Sequence, residues 1–137
     1  MTKAMGVALA IALLAGTTAG MAEETPIAKT TAAGQPVKLR NHVKLTAGCA
    51  GSSPNITFNT KPAHGTVDIK PDRFIMGKGY NTGSLEACAG QMVDGIALWY
   101  TPAAGYHGTD QISWTANFGG SSRHLRVDNY IATVTVQ

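Results

Sequence analysis

Alternating apolar residues run through most of the chain and predict a protein built from β-strands. Ile96, Leu98 and Tyr100 occupy every second position, which in a strand places them on one face. Similar runs occupy 37–45, 55–59, 66–70, 112–118 and 132–136. Gly- and Pro-rich breaks separate these runs, and no convincing helical period is present. Six or seven short strands of this kind predict an all-β, antiparallel β-sandwich.

Two segments lack the alternation. Residues 23–35 are rich in Thr, Ala and Gly, a composition that predicts a flexible lead-in. Residues 71–94 contain four dispersed glycines and predict an irregular insert, within which Ser84–Ala87 suits a single helical turn. The sandwich is therefore expected to span 36–137 as one domain.

The first 22 residues have the organisation of a secretory signal peptide. Lys3 supplies a positive charge, 4–14 is apolar and small residues lead to Ala22. The apolar run is too short to span a bilayer, which favours cleavage over the alternative of an uncleaved membrane anchor. The mature chain of about 115 residues is then periplasmic or secreted and has the size of one domain.

Charge and cysteine content narrow the picture further. The chain has eleven Lys and Arg and eight Asp and Glu, and cleavage of the predicted signal peptide would remove Lys3. The small excess of positive charge that remains does not indicate a nucleic-acid partner. Cys49 and Cys88 are the two cysteines, and in an oxidising compartment they are expected to form a disulfide. The loop it closes, of about 40 residues, corresponds to roughly 4 kcal/mol in the chain-entropy model.

Three motifs follow one another in a familiar order: PAHGTV at 62–67, YTPAAGYHGTDQISW at 100–114 and ATVTV at 132–136. They resemble the bacterial Ig-like, cadherin-like domain that occurs in tandem in large surface proteins. The resemblance implies an Ig-like sandwich with a role in adhesion or scaffolding. The chain departs from that pattern in having one copy, a cysteine pair and, at 49–54, no acidic segment of the calcium-binding type.

The middle motif is expected to form a structural corner of such a sandwich. Pro and Gly supply the fixed or positive φ that a corner needs, a tyrosine packs beneath it, and an aspartate accepts backbone N–H bonds. The corner residues are Pro102, Gly105, Tyr106, Gly108 and Asp110. His107 is then solvent-facing; the alternative is that His107, three residues before Asp110, belongs to a chemical site.

A metal site is the main chemical alternative. His64 and His107 both fall in predicted turns, and His42, His124, Met76 and Met92 are further donors of the kind that copper accepts. A small periplasmic metal-binding protein using His and Met side chains is therefore kept as the alternative function. No nucleophile elbow or acidic pair indicates an enzyme, and no cofactor is expected.

Two surface features suggest partner binding. Lys38, Arg40, His42 and Lys44 alternate along one predicted strand and would project from one face as a basic row; edge lysines also protect against unwanted strand pairing. Trp99 points outward if Leu98 and Tyr100 point inward, and it either contacts a partner or packs beneath the insert around Cys88.

The sequence thus predicts an exported, non-catalytic binding module. Its expected partner is an envelope or extracellular protein, with an anionic glycan as the second choice.

Overall fold

The computed structural model describes residues 22–46, 48–78, 83–120 and 125–137. The predicted signal peptide, apart from Ala22, lies outside these residues. Within them the chain forms nine strands rather than six or seven: β1 Glu24–Thr31, β2 Val37–His42, β3 Lys44–Leu45, β4 Gly51–Ser52, β5 Asn55–Thr60, β6 Gly65–Ile75, β7 Met92–Pro102, β8 Gly108–Gly119 and β9 Arg126–Val136.

Helical structure is confined to one short 3-10 turn in this part of the chain. The turn covers Gly83–Cys88 and includes the predicted Ser84–Ala87 turn. None of the described helical segments has the length and apolar character needed to cross a membrane. The all-β prediction is confirmed.

The strands form two main sheets with the order of an Ig-like sandwich. One sheet has the order β1-β9-β8-β5 and the other β2-β7-β6, while β3 and β4 form a separate short pair. If β2, β5, β6, β7, β8 and β9 are taken as strands B, C, D, E, F and G, the sheets are C-F-G and B-E-D, as in immunoglobulin domains. The predicted sandwich is confirmed.

The core lies between the inner faces of these two sheets. The predicted inward row Ile112, Trp114 and Ala116 of β8 is buried, and so are Leu98 and Tyr100 of β7. Alternate residues of β9 complete the facing layer, namely Tyr130, Ala132, Val134 and Val136. The period-two pattern therefore identified the core correctly, because one face of each central strand is removed from water.

The predicted lead-in is wrong for most of its length. Glu24–Thr31 forms β1, which pairs in parallel with β9 over eight residues. The pairing of β1 with β9 continues at its end, where the Gln137 N–H donates to the Thr31 carbonyl at 2.9 Å. Because β1 is an edge strand with mostly exposed side chains, its backbone bonds hold it in place without the apolar alternation by which strands are recognised.

The irregular insert is also shorter than predicted. β6 continues to Ile75 and β7 begins at Met92, so 71–75 and 92–94 belong to paired strands. Pro71 lies on β6, an edge strand, where proline is tolerated because alternate N–H positions point away from the neighbouring strand. Only 76–91 connects the two strands.

The predicted disulfide between Cys49 and Cys88 is confirmed. It joins the connection between β2 and β5 to the connection between β6 and β7. Both connections lie where β2, β6 and β8 end and where β7 and β9 begin; we call this end of the sandwich the loop end. The covalent link therefore fixes two of the segments that form this end.

Candidate binding site at the loop end

A β-bulge at Leu39 breaks the predicted basic row. Lys38 pairs with Trp99 of β7, but Arg40 pairs with Leu98, so β2 carries one extra residue. A bulge of this kind reverses which later side chains face the core. The prediction that Lys38, Arg40, His42 and Lys44 project from one face is therefore wrong.

Lys38 remains on the outer face, where it is joined by Asn41. Lys38 Nζ lies 2.6 Å from Asp72 Oδ2, and Asn41 Nδ2 donates to the same oxygen at 2.5 Å. The hydrogen bonds from Lys38 and then Asn41 hold the pKa of Asp72 below its usual value. Lys38 Nζ also lies 5.3 Å from the ring centroid of the half-buried Trp99. A partner at Trp99, or packing beneath the insert, stays a prediction.

Beyond the bulge, Arg40 and His42 turn towards the inside of the sandwich. Both pair with residues of β7 whose side chains are buried, Leu98 and Ile96. The guanidinium carbon of Arg40 lies 4.7 Å from the ring centroid of Tyr130 on the opposite sheet. This is a cation–π contact between the sheets.

His42 is buried, with 3% of its surface exposed, and it links the two sheets. Trp114 donates its indole N–H to Nε2 of His42 at 2.9 Å. An accepting Nε2 requires the ring proton on Nδ1. Burial, and secondarily the charge of Arg40, lower the pKa of His42 to about 4, against a smaller opposite effect of Asp128. His42 is therefore neutral at pH 7.

A cavity of about 320 Å³ opens beside His42 between the ends of the two sheets. This volume is at the lower end of the range for ligand pockets. Its walls come from β2, from the end of β6, from the end of β8 and from β9. The lining residues are Arg40, Asn41, His42, Val43, Phe74, Ile75, Met76, Gly77, Phe118, Arg126 and Tyr130.

Arg126 is held on one side of this cavity by a small polar cluster. Its Nη2 lies 3.0 Å from Asp128 Oδ2, and Tyr130 donates its hydroxyl to the same oxygen at 3.3 Å. The guanidinium carbon also lies 4.7 Å from the ring centroid of Phe118. Both arginines of the cavity are thus stacked on aromatic rings.

Exposed apolar side chains concentrate around the same end. Five large apolar residues are exposed in the described part of the chain, and four of them, Ile75, Met92, Leu125 and Val127, lie at the loop end. Ile75 lines the cavity and is 64% exposed. Clustered exposure of this kind is typical of an interaction surface, whereas single exposed apolar residues are common.

A second hollow, of about 350 Å³, lies between the edges of β5 and β6. It is lined by Phe58, Lys61, Pro62, Gly65, Thr66 and Val67. Lys61 is the charged residue in this lining, so the hollow offers few groups to orient a ligand. The loop end is the stronger candidate.

The predicted corner is built around Asp110. Its carboxylate is buried and accepts the N–H groups of Ala63 at 2.9 Å and His64 at 2.8 Å. It also accepts the hydroxyl of Tyr100 at 2.9 Å. Burial alone would raise the pKa of Asp110, but these donors and the Gln111 N–H hold it below its usual value. The predicted acceptance of backbone N–H bonds is confirmed.

The other corner residues are placed as their chemistry requires. Gly105 and Gly108 have φ values of 76° and 144°, which residues other than glycine rarely adopt. Pro102 is buried. Tyr106 packs against the core and donates its hydroxyl to the Thr109 carbonyl at 2.8 Å.

The structure places the two histidines of the metal alternative at this corner, at the opposite end from the cavity. The His64 ring stacks on Tyr106 with centroids 4.1 Å apart, while His107 is exposed, as predicted. His124 lies outside the described residues. Across the ranges that are described, no group of three His, Cys, Asp or Glu side chains is arranged to hold a metal ion.

Comparison with known proteins yields no match to any family model, curated protein or solved structure.

Sequence reasoning missed the cavity because its lining residues come from four separate parts of the chain. One signal was present: Asn41 interrupts the apolar row of Val37, Leu39, Val43 and Leu45. A polar side chain in an inward row indicates a change of register, which is what the bulge produces.

Proposed function

We propose that this protein is an exported, non-catalytic Ig-like module that recognises an envelope or extracellular protein through its loop end. The observation that carries the proposal is the cavity of about 320 Å³ between the sheet ends, which has the exposed Ile75 in its lining. A pocket with an apolar rim is the usual arrangement for an anchoring side chain of a partner.

The position of the cavity supports the same function. In Ig-like sandwiches the connections B–C and F–G lie at one end, and variable domains use that end for recognition. Here the connection after β2 and the one after β6 are cross-linked by Cys49–Cys88. A fixed surface loses less conformational entropy on binding than a mobile one.

The chemistry of the cavity favours binding over catalysis. Its described lining contains no Ser, Thr or Cys nucleophile, and the Nε2 atom of His42 is occupied by Trp114. Export agrees with the disulfide, which is typical of oxidising compartments. Membership of the bacterial Ig-like, cadherin-like domains, with a role in cell adhesion, belongs to the same proposal; its support is the motif order and the B-E-D and C-F-G sheets.

A matched pair of substitutions on one strand tests the proposal. Ile75→Ser changes the cavity rim, and Ile69→Ser changes another exposed isoleucine of β6 about 20 Å away along the strand. Both variants and the unchanged protein are used to capture partners from envelope extract, with identification by mass spectrometry. A partner retained by Ile69→Ser and lost by Ile75→Ser supports the proposal. Equal retention by both variants contradicts it.

A further inference from the structure

Three basic side chains lie in or near the cavity. Arg40 and Arg126 line it, and Lys44 Nζ lies 2.8 Å from the position that a Cβ on Gly119 would occupy, next to the end of β8. Asp128, in contact with Arg126 at 3.0 Å, is the acidic group in this cluster. Within the described ranges no carboxylate forms an ion pair with Lys44.

Apolar side chains also line the cavity. Val43, Phe74 and Phe118 form its walls, and the imidazole beside them, His42, is neutral at pH 7 because of its burial. The cavity therefore combines basic side chains with apolar walls. A volume of about 320 Å³ accommodates one large side chain with its neighbouring atoms.

We infer that the cavity binds a peptide segment in which an aromatic or long aliphatic residue is flanked by Asp or Glu. The apolar side chain enters between the sheets, and the flanking carboxylates contact Lys44 and Arg40. This inference rests on the proposed function and specifies the chemistry of the partner. A glycan fits less well, because the inner walls offer aromatic and aliphatic groups where sugar hydroxyls need hydrogen-bond partners.

The two tryptophans provide separate reporters for a test by NMR. The indole N–H of Trp114 is bonded to His42, which lines the cavity, whereas Trp99 lies on the outer face beside Lys38. The ¹⁵N-labelled protein is titrated with two acetylated, amidated peptides, Gly-Glu-Phe-Glu-Gly and Gly-Gln-Phe-Gln-Gly. The acidic peptide should shift the Trp114 indole signal and leave that of Trp99 in place.

The acidic peptide should also bind about tenfold more tightly than its amide counterpart, the effect of roughly one favourable charge pair. Lys44→Glu should remove this difference. Lys61→Glu, with its lysine at the far end of the sandwich after β5, should preserve it. Lys61→Glu controls for the change in net charge.

Three results would overturn the inference. Equal affinity for both peptides removes the requirement for carboxylates. A shift of Trp114 by oligogalacturonate but by neither peptide assigns the cavity to a glycan. No shift by either peptide removes the peptide as occupant, and the proposed function is then decided separately by the capture experiment with Ile75→Ser and Ile69→Ser.

Discussion

Trp114 donates its indole N–H to Nε2 of His42 at 2.9 Å, and this bond joins the two sheets beneath the cavity. It requires a neutral imidazole, because a protonated ring has no acceptor. His42 therefore both stabilises the sandwich and lines the candidate site.

We predict that the protein loses stability as the pH falls from about 6.5 to about 4. The unfolded chain binds a proton on His42 near pH 6.5, whereas the folded protein does so only near pH 4. The contribution of neutral His42 is complete above this window and is lost through it, at a cost of about 3 kcal/mol. Urea unfolding at pH 7, 5.5 and 4.2 measures the loss.

The His42→Gln variant is the control for this pH dependence. Glutamine retains an acceptor for Trp114 but does not titrate. The pKa values of Asp72 and Asp110 lie below 3.8, so these carboxylates lose their contributions at lower pH. The same slope between pH 6.5 and 4 in both proteins would show that His42 is not its source.

Asp110→Asn should destabilise the protein by about 2–4 kcal/mol, since a buried donor loses its acceptor. The carboxylate accepts bonds from Ala63, His64 and Tyr100, and an amide cannot accept them all because its nitrogen is a donor. Asp68→Asn changes an exposed aspartate and should stay within about 0.5 kcal/mol. Equal effects in denaturant unfolding would contradict the role of Asp110.

Replacing both Cys49 and Cys88 by serine should cost about 2–5 kcal/mol, the range for a native disulfide of a small exported domain. It should also weaken partner capture, because the two connections at the loop end are no longer joined. Unfolding and capture are measured on the double variant without reductant. If stability falls as expected but capture is unchanged, the disulfide has no role in recognition.

Lys38→Ala and Arg40→Gln should differ, although these residues are two apart in sequence. Lys38 pairs with Asp72 on the outer face, so its loss should leave capture unchanged and cost at most about 1 kcal/mol. Arg40 lines the cavity, so its replacement should reduce capture. A loss of capture with Lys38→Ala alone would restore the basic row as the binding surface.

The sandwich itself was largely predictable because alternate side chains of its central strands are apolar and buried. Ile112, Trp114 and Ala116 alternate and are all buried. The β1 strand was not predictable in this way. Its side chains are mostly exposed, and the bonds that hold it to β9 are backbone bonds, which leave no pattern in side-chain type.

The candidate site was less predictable because one inserted residue decides it. The bulge at Leu39 moves Arg40 and His42 from the outer face to the inner one, while Lys38 stays outside. Alternation over six residues cannot locate such an insertion, since Val37 and Leu39 fit either register. The disulfide was predictable because the chain has two cysteines and the pattern predicted for a signal peptide.

The most direct test of the loop end as a recognition surface is photo-crosslinking in cells that produce the protein. A benzophenone side chain is introduced at Ile75, on the cavity rim, or at Ile69, on the same strand away from it. Recognition through the loop end predicts a discrete crosslinked partner from position 75 and none from position 69. A partner crosslinked from 69, with none from 75, would contradict it.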